Sequence, residues 1–224
     1  MSNFFDTNIG EVQTKGALSN RGIICDADAL SGMGIYPIEY PYPEYDKDTQ
    51  AIRPVGDPHP KGNDSHVYVQ DFEVYELTKE EQKVICDNLK EQAALNVDAD
   101  TSNTICAGFD CEMATDKGQE KLHFSYDPFD QQNFVDTAVV AMAQKTAAPK
   151  SEETPQSVYW NGYREGGELV VLTLDADTFL PLYQTALNHK AEVMAQGSQR
   201  KTVIGSMNDA AALRAKMKEW GLSL

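Results

Sequence analysis

The chain has 224 residues, 41% of them hydrophobic and 24% charged, enough for one large or two small globular domains. Its formal net charge of −16 repels phosphate backbones and anionic bilayers, which argues against nucleic-acid and membrane partners. No run approaches the roughly 18 consecutive apolar residues of a membrane span, and the opening MSNFFDTNIGEVQ lacks the basic and apolar regions of a secretory signal.

The charge is uneven. Residues 1–189 carry 13 basic and 32 acidic side chains, whereas residues 190–224 carry 6 basic and 3 acidic ones. The simpler reading is a solvated helix with Lys and Arg toward its C-terminus; the alternative is docking on an acidic surface. Four cysteines (Cys25, Cys86, Cys106, Cys111) are too few for a disulfide scaffold in a chain of this length. Reduced thiols and cytoplasmic synthesis are expected.

Residues 1–34 sustain no hydrophobic period and read as an irregular N-terminal arm. From Ile35, IYPIEYPYPEYDKDTQAIRPVGDPHP holds six of the ten prolines and four tyrosines. Proline cannot donate to a sheet ladder, so this is extended edge strand and turn. Tyr36, Tyr40 and Tyr42 are its candidate partner contacts, in a segment suited to lying along a surface. Ser65–Leu77 alternates as a strand with a phase shift near Asp71, which predicts a bulge. Thr78 and Glu81 form a capping box for a helix running to about Leu95, so residues 35–95 read as a β-rich segment ending in a helix. Asn96–Asn103 is a polar break and a candidate domain boundary.

Residues 104–224 read as a C-terminal α+β domain. Thr104–Met113 and Lys121–Tyr126 form a hairpin around ATDKGQE. Asp127-Pro128 starts a helix whose Phe129, Val135, Val139 and Met142 mark one face. KTAAPKSEETPQS is linker-like. Val158–Tyr163 and Glu168–Leu174 pair around a loop with two glycines. The helix that follows carries Leu180, Tyr183, Leu187, Ala191 and Met194 as a narrow two-heptad seam that Gly197 interrupts. Ser206–Asp209 can cap a last helix bearing Leu213, Met217 and Trp220, closed by Gly221. The expected class is α+β: small antiparallel hairpins with amphipathic helices.

Chemistry-bearing patterns are sparse. Cys106-x4-Cys111 with His123 nearby fits a zinc knuckle only loosely and lacks a second ligand pair, so no metal site is assigned. His59, His66, His123 and His189 share no repeated spacing, and His189 falls on the polar side of its helix. Asp26-Ala27-Asp28 and Asp175-Ala176-Asp177 lack the further oxygens and glycine of a calcium loop; capping explains the second pair. No nucleophile-elbow, dinucleotide or phosphate-loop motif occurs, so neither cofactor nor catalytic residue is expected. Tyr159, Trp160 and Tyr163 share one short strand and read as core on one face and protein contact on the other. A sugar-stacking platform is the alternative.

Three stretches carry a resemblance. MGIYPIEYPYPEYDKDTQAIRP and VYELTKEEQKV come first. The third runs from AGFDCEM through FSYDPFDQQNF to VYWNGYREGGELVVLTLDADTFLPLYQTALNHK. Together, over roughly residues 32–215, they resemble uncharacterised bacteriophage tail-associated proteins whose genes lie among tail fibre and baseplate genes. The resemblance carries over no catalytic residue. It implies a non-enzymatic structural or assembly role at the tail tip, baseplate or fibre attachment region. The chain would be made in the bacterial cytoplasm and reside in the virion tail, with other tail or fibre proteins as partners. The implied alternative is a fibre assembly chaperone absent from the particle. A carbohydrate-binding receptor module and a small hydrolase using His123 with Cys106 or Cys111 are the rivals. The Leu180–Met194 seam adds the expectation of self-association, with a trimer around a fibre axis as its form.

Overall fold

A computed structural model describes residues 3–23, 26–146 and 157–224, and the chain divides into two units, Met1–Ile85 and Cys86–Leu224. Cys25, most of the linker-like loop and the side chain of Asp28 lie outside the described residues. The division falls inside a helix, at Ile85, rather than in the polar stretch 96–103.

The first unit is built on five strands. β1 (Asn3–Asp6), β2 (Glu11–Thr14), β3 (Ile35–Glu39), β4 (Gln50–Lys61) and β5 (Asp64–Glu76) lie in the order β2-β1-β3-β5-β4. β3 runs parallel to β5 and the other neighbours are antiparallel. The first 34 residues are therefore not an irregular arm. Phe4 and Phe5 pair with Pro37 and Tyr36, a contact made more than thirty residues away that no local period announces. Asp6, 3% exposed, closes the first turn by accepting from the backbone N and Nδ2 of Asn8, each at 3.1 Å. Two short helices, α1 (Lys15–Asn20) and α2 (Ala27–Gly32), follow in this segment, and Leu18, Leu30 and Ile35 pack into a small core with Phe4 and Ile23.

β4 holds three prolines and is an edge strand, where missing donors cost least. The expected irregularity lies in β4, where the register shifts between Val55 and His59. Buried Gln70 fills it, its Nε2 donating to the carbonyls of Val55 and Gly56 at 3.2 and 3.3 Å.

The second unit contains a four-stranded antiparallel sheet in the order β6 (Phe109–Thr115), β7 (Gly118–Phe124), β8 (Val158–Tyr163), β9 (Leu169–Leu174). α3 (Lys79–Ala107) precedes it, α4 (Pro128–Thr146) joins its two hairpins, and α5 (Ala176–Ser206) and α6 (Ala210–Glu219) follow. Alternation puts Phe109, Met113, Leu122, Phe124, Val170, Leu172 and Leu174 on the inner face of the sheet. Phe134, Ala138 and Ala141 of α4, with Phe179, Leu182 and Ala186 of α5, complete that core.

α3 runs on through the stretch expected to break. Its polar residues there are held by α5: Asp100 accepts from Arg200 Nη1 at 2.7 Å and Asp98 from Lys201 Nζ at 2.6 Å. Ala93 and Val97 meet Ile204, Leu213 and Met217 in a second, all-helical core. Likewise α5 does not stop at Gly197.

Candidate interaction surface

α4 begins as its sequence dictates. Asp127 Oδ1 accepts from the backbone N of Asp130 at 2.8 Å, and Pro128 occupies the first turn. The face marked out in the sequence is not the one that it buries. Phe134, Ala138 and Ala141 turn inward, while Phe129, Val135, Val139 and Met142 are exposed, Val139 to 63%. Two of the three residues that it buries are alanines, and the larger aliphatic side chains are left outside. Val140 is exposed as well.

α5 starts at Asp175, whose carboxylate accepts from the backbone N of Thr178 at 2.9 Å while Thr178 Oγ1 accepts from the N of Asp175 at 3.1 Å. The Thr178 hydroxyl, donating to Asp175 Oδ1 at 2.7 Å, and then the Thr178 backbone N–H hold the Asp175 carboxyl below its usual range. Asp177, in the first turn, pairs with Lys145 at 2.5 Å. At the other end of the helix pair, Lys190 Nζ donates to Gln131 Oε1 at 2.7 Å. These two links set α4 and α5 antiparallel. In that antiparallel register Val135 falls level with Leu187 and Met142 level with Leu180.

The seam read from the sequence is thereby divided. Leu180 and Tyr183 are half-buried and pack against the core, the Tyr183 ring lying 6.5 Å from Phe134. Leu187, Ala191 and Met194 stay exposed, Met194 to 52%. The core stripe of α5 is the neighbouring set Phe179, Leu182, Ala186 and Gly197. A continuous seam free for a coiled coil is not formed. Instead, its exposed half joins Val135, Val139 and Met142 in one apolar band along the outer line between α4 and α5.

The other expected contacts separate. Trp160 faces the core, 4.3 Å from Phe134 and 5.2 Å from Phe179 between ring centroids. Tyr159, on the opposite face of β8, is 76% exposed beside outward Val171. The three rings of that strand therefore do not form one sugar-stacking platform. In the first unit, Tyr36 stacks on Tyr68 at 5.3 Å, and Tyr42 lies 4.8 Å from Phe72 with Tyr40 beside it. The Tyr-Pro segment thus lies along the chain's own strand β5.

A polar cleft of about 640 Å3 opens between β6 and α5, lined by Asp110, His123, Thr185, Asn188, His189 and Glu192 among others. His123 has Asp110 Oδ1 and the Ala107 carbonyl at 2.9 Å from its two nitrogens. Both partners are acceptors, and a neutral ring can donate to only one of them. Lys121 and then His123 hold the Asp110 carboxyl below its usual range by hydrogen bonding. His189 is not on an open polar surface: its ring lies 6.0 Å from Phe109, and its Nε2 is buried without a partner. Cys111 donates its thiol toward Thr185 Oγ1 at 3.9 Å, on the other face of β6 from Asp110. Among the described residues no group of three or more His, Cys, Asp or Glu side chains is placed to hold a metal ion.

Residues 88–217, more than half of the chain, match a protein family described as a domain of unknown function, DUF4376. The chain belongs to the DUF4376 family. The matched span opens within α3 and closes within α6, so the DUF4376 domain coincides with the second unit and includes the α4–α5 band. No curated protein and no solved structure matches this chain.

Proposed function

We propose that this DUF4376 protein is a structural or assembly component of a bacteriophage tail, acting at the tail tip, baseplate or fibre attachment region through protein–protein contact. The observation that carries the contact reading is the band on α4 and α5. Exposed apolar residues scattered singly are ordinary, but a contiguous run along two packed helices marks a contact surface. The resemblance of the three sequence stretches to tail-associated proteins supplies the setting. In this reading the protein is not an enzyme and uses no cofactor. It is made in the host cytoplasm and ends in the virion tail.

The partner on the band is another tail or fibre protein or a further copy of the chain. A fibre assembly chaperone uses the same surface transiently, and only its fate differs. Quantitative mass spectrometry of purified particles of the encoding phage tests the reading. Stoichiometric presence supports a structural part, and presence only in complexes with tail proteins in the infected cell supports the chaperone. Recovery in neither sinks both.

A further inference from the structure

We infer that the outer face of α4 and α5 is occupied by the same face of a second copy of this chain, giving a two-fold dimer joined through a four-helix layer. This rests on the reading of that face as a contact surface and names its occupant.

A helix that is apolar on its inner and outer sides belongs in an interior. α4 buries Phe134, Ala138 and Ala141 beneath it and exposes Phe129, Val135, Val139, Val140 and Met142 above. Layered folds place such a helix between two layers, and the unit's own sheet supplies one of them.

Charge selects the second layer. Two chains of net charge −16 repel one another over most of their surface and can approach only where charge is missing. On the middle of this face it is sparse. Lys145 is paired with Asp177, and Lys190 is turned to Gln131. Glu192 lines the polar cleft with Asp110. Asp136, one turn from Val139, accepts from Gln132 Nε2 at 2.8 Å, and its carboxylate and the Lys190 ammonium are the charges that remain. Across from it α5 offers Gln184, Leu187, Ala191 and Met194. A strongly basic or acidic partner would find little to pair with here, whereas a second copy brings an equally charge-poor surface.

The area is sufficient. The 19 residues of α4 span roughly 28 Å, and two helices side by side are roughly 20 Å wide. Two such faces together bury about 1,100 Å2 before their side chains interdigitate, close to the lower bound for a stable interface. An antiparallel helix pair is suited to isologous pairing, because each helix meets a surface already matched to its neighbour.

Sedimentation of the full chain across the micromolar range tests this, with Val139→Glu and Leu187→Glu on the face and Val171→Glu on the opposite side of the sheet. Thermal melting of each variant reports folding separately. The expected result is a wild-type and Val171→Glu dimer, with both face variants monomeric and folded. Having two face variants guards against one failing to fold. A monomeric wild type, a trimer insensitive to both face variants, or dissociation by Val171→Glu would overturn the inference. A monomer recovered in particles would overturn the dimer and leave the tail reading standing. A dimer that is absent from particles and tail complexes would support the dimer and sink that reading.

Discussion

Thr101 Oγ1 occupies the place where a Cβ on Gly197 would stand. The contact is between α3 and α5, near the ion pair of Asp100 with Arg200. The hydroxyl is fixed by donating to the Val97 carbonyl at 2.7 Å, so it cannot swing aside without losing that bond. Gly197 is thus where the missing Cβ lets the Thr101 side chain of α3 lie against α5, not a helix break.

Adding a methyl there sets overpacking against helix propensity. Overpacking costs typically about 1–3 kcal/mol, and Ala gains about 1 kcal/mol over Gly inside a helix. Gly197→Ala is therefore expected to lose about 1 kcal/mol in denaturant unfolding, and Gly197→Ala with Thr101→Ala to recover it. A single variant as stable as the wild type would show that the helices do not meet at this point.

Phe134 and Phe129 stand on the same helix with opposite fates. Phe134 is fully buried among Trp160, Phe179 and Phe109, while Phe129 is 74% exposed. Phe134→Ala should cost about 3–5 kcal/mol, and Phe129→Ala should stay within about 0.5 kcal/mol in the free chain. Equal losses in chemical denaturation would mean that the inner face of α4 is wrongly identified.

Glu120 links the two hairpins of the DUF4376 sheet. Arg164 donates to it from Nε at 3.0 Å and from Nη2 at 2.9 Å, and Thr115 adds a hydroxyl bond. The Arg164 bonds lead in lowering the carboxyl from 4.5 to about 2. A carboxyl lowered on folding stabilises the fold in its charged form. That contribution is complete above about pH 4.5 and fades as pH falls toward about 2. Glu120→Gln should lower the melting temperature at pH 7 and narrow its gap from wild type at pH 3. An unchanged gap between those two pH values would contradict the linkage. Glu81, lowered by its bonds to Thr78, leaves the variant with some acid sensitivity of its own.

Local chemistry was legible in the sequence, and distant pairing was not. The Thr78–Glu81 box forms as read, with bonds of 2.8 and 3.2 Å, and Asp127, Asp175 and Asp209 cap their helices. Both hairpins of the DUF4376 sheet form about the expected turns, but residues 104–107, read as the start of the first strand, belong to α3, and that strand begins only at Phe109. The strands β1 and β2 were missed because β1 is held by β3, and four-residue strands carry no period of their own. Residues 96–103 read as a break because their stabilising cations, Arg200 and Lys201, lie a hundred residues away.

The band itself was half legible. Val135, Val139 and Met142 were recognised as one face, but periodicity does not say whether a face meets its own core or another chain. The deciding residues were Ala138 and Ala141, whose small size permits close packing and carries little hydrophobic signal. The seam on α5 was displaced by one position for the same reason, because Ala186 and Gly197 belong to its buried stripe.

If the α4–α5 face works by contact with protein in tail assembly, spoiling that face must cost tail formation. Complementation of a phage lacking this gene tests it most directly, with wild-type chain and the Val139→Glu variant supplied at equal levels. Wild type is expected to restore tailed, infective particles, and the folded variant is not. Full restoration by Val139→Glu would contradict it.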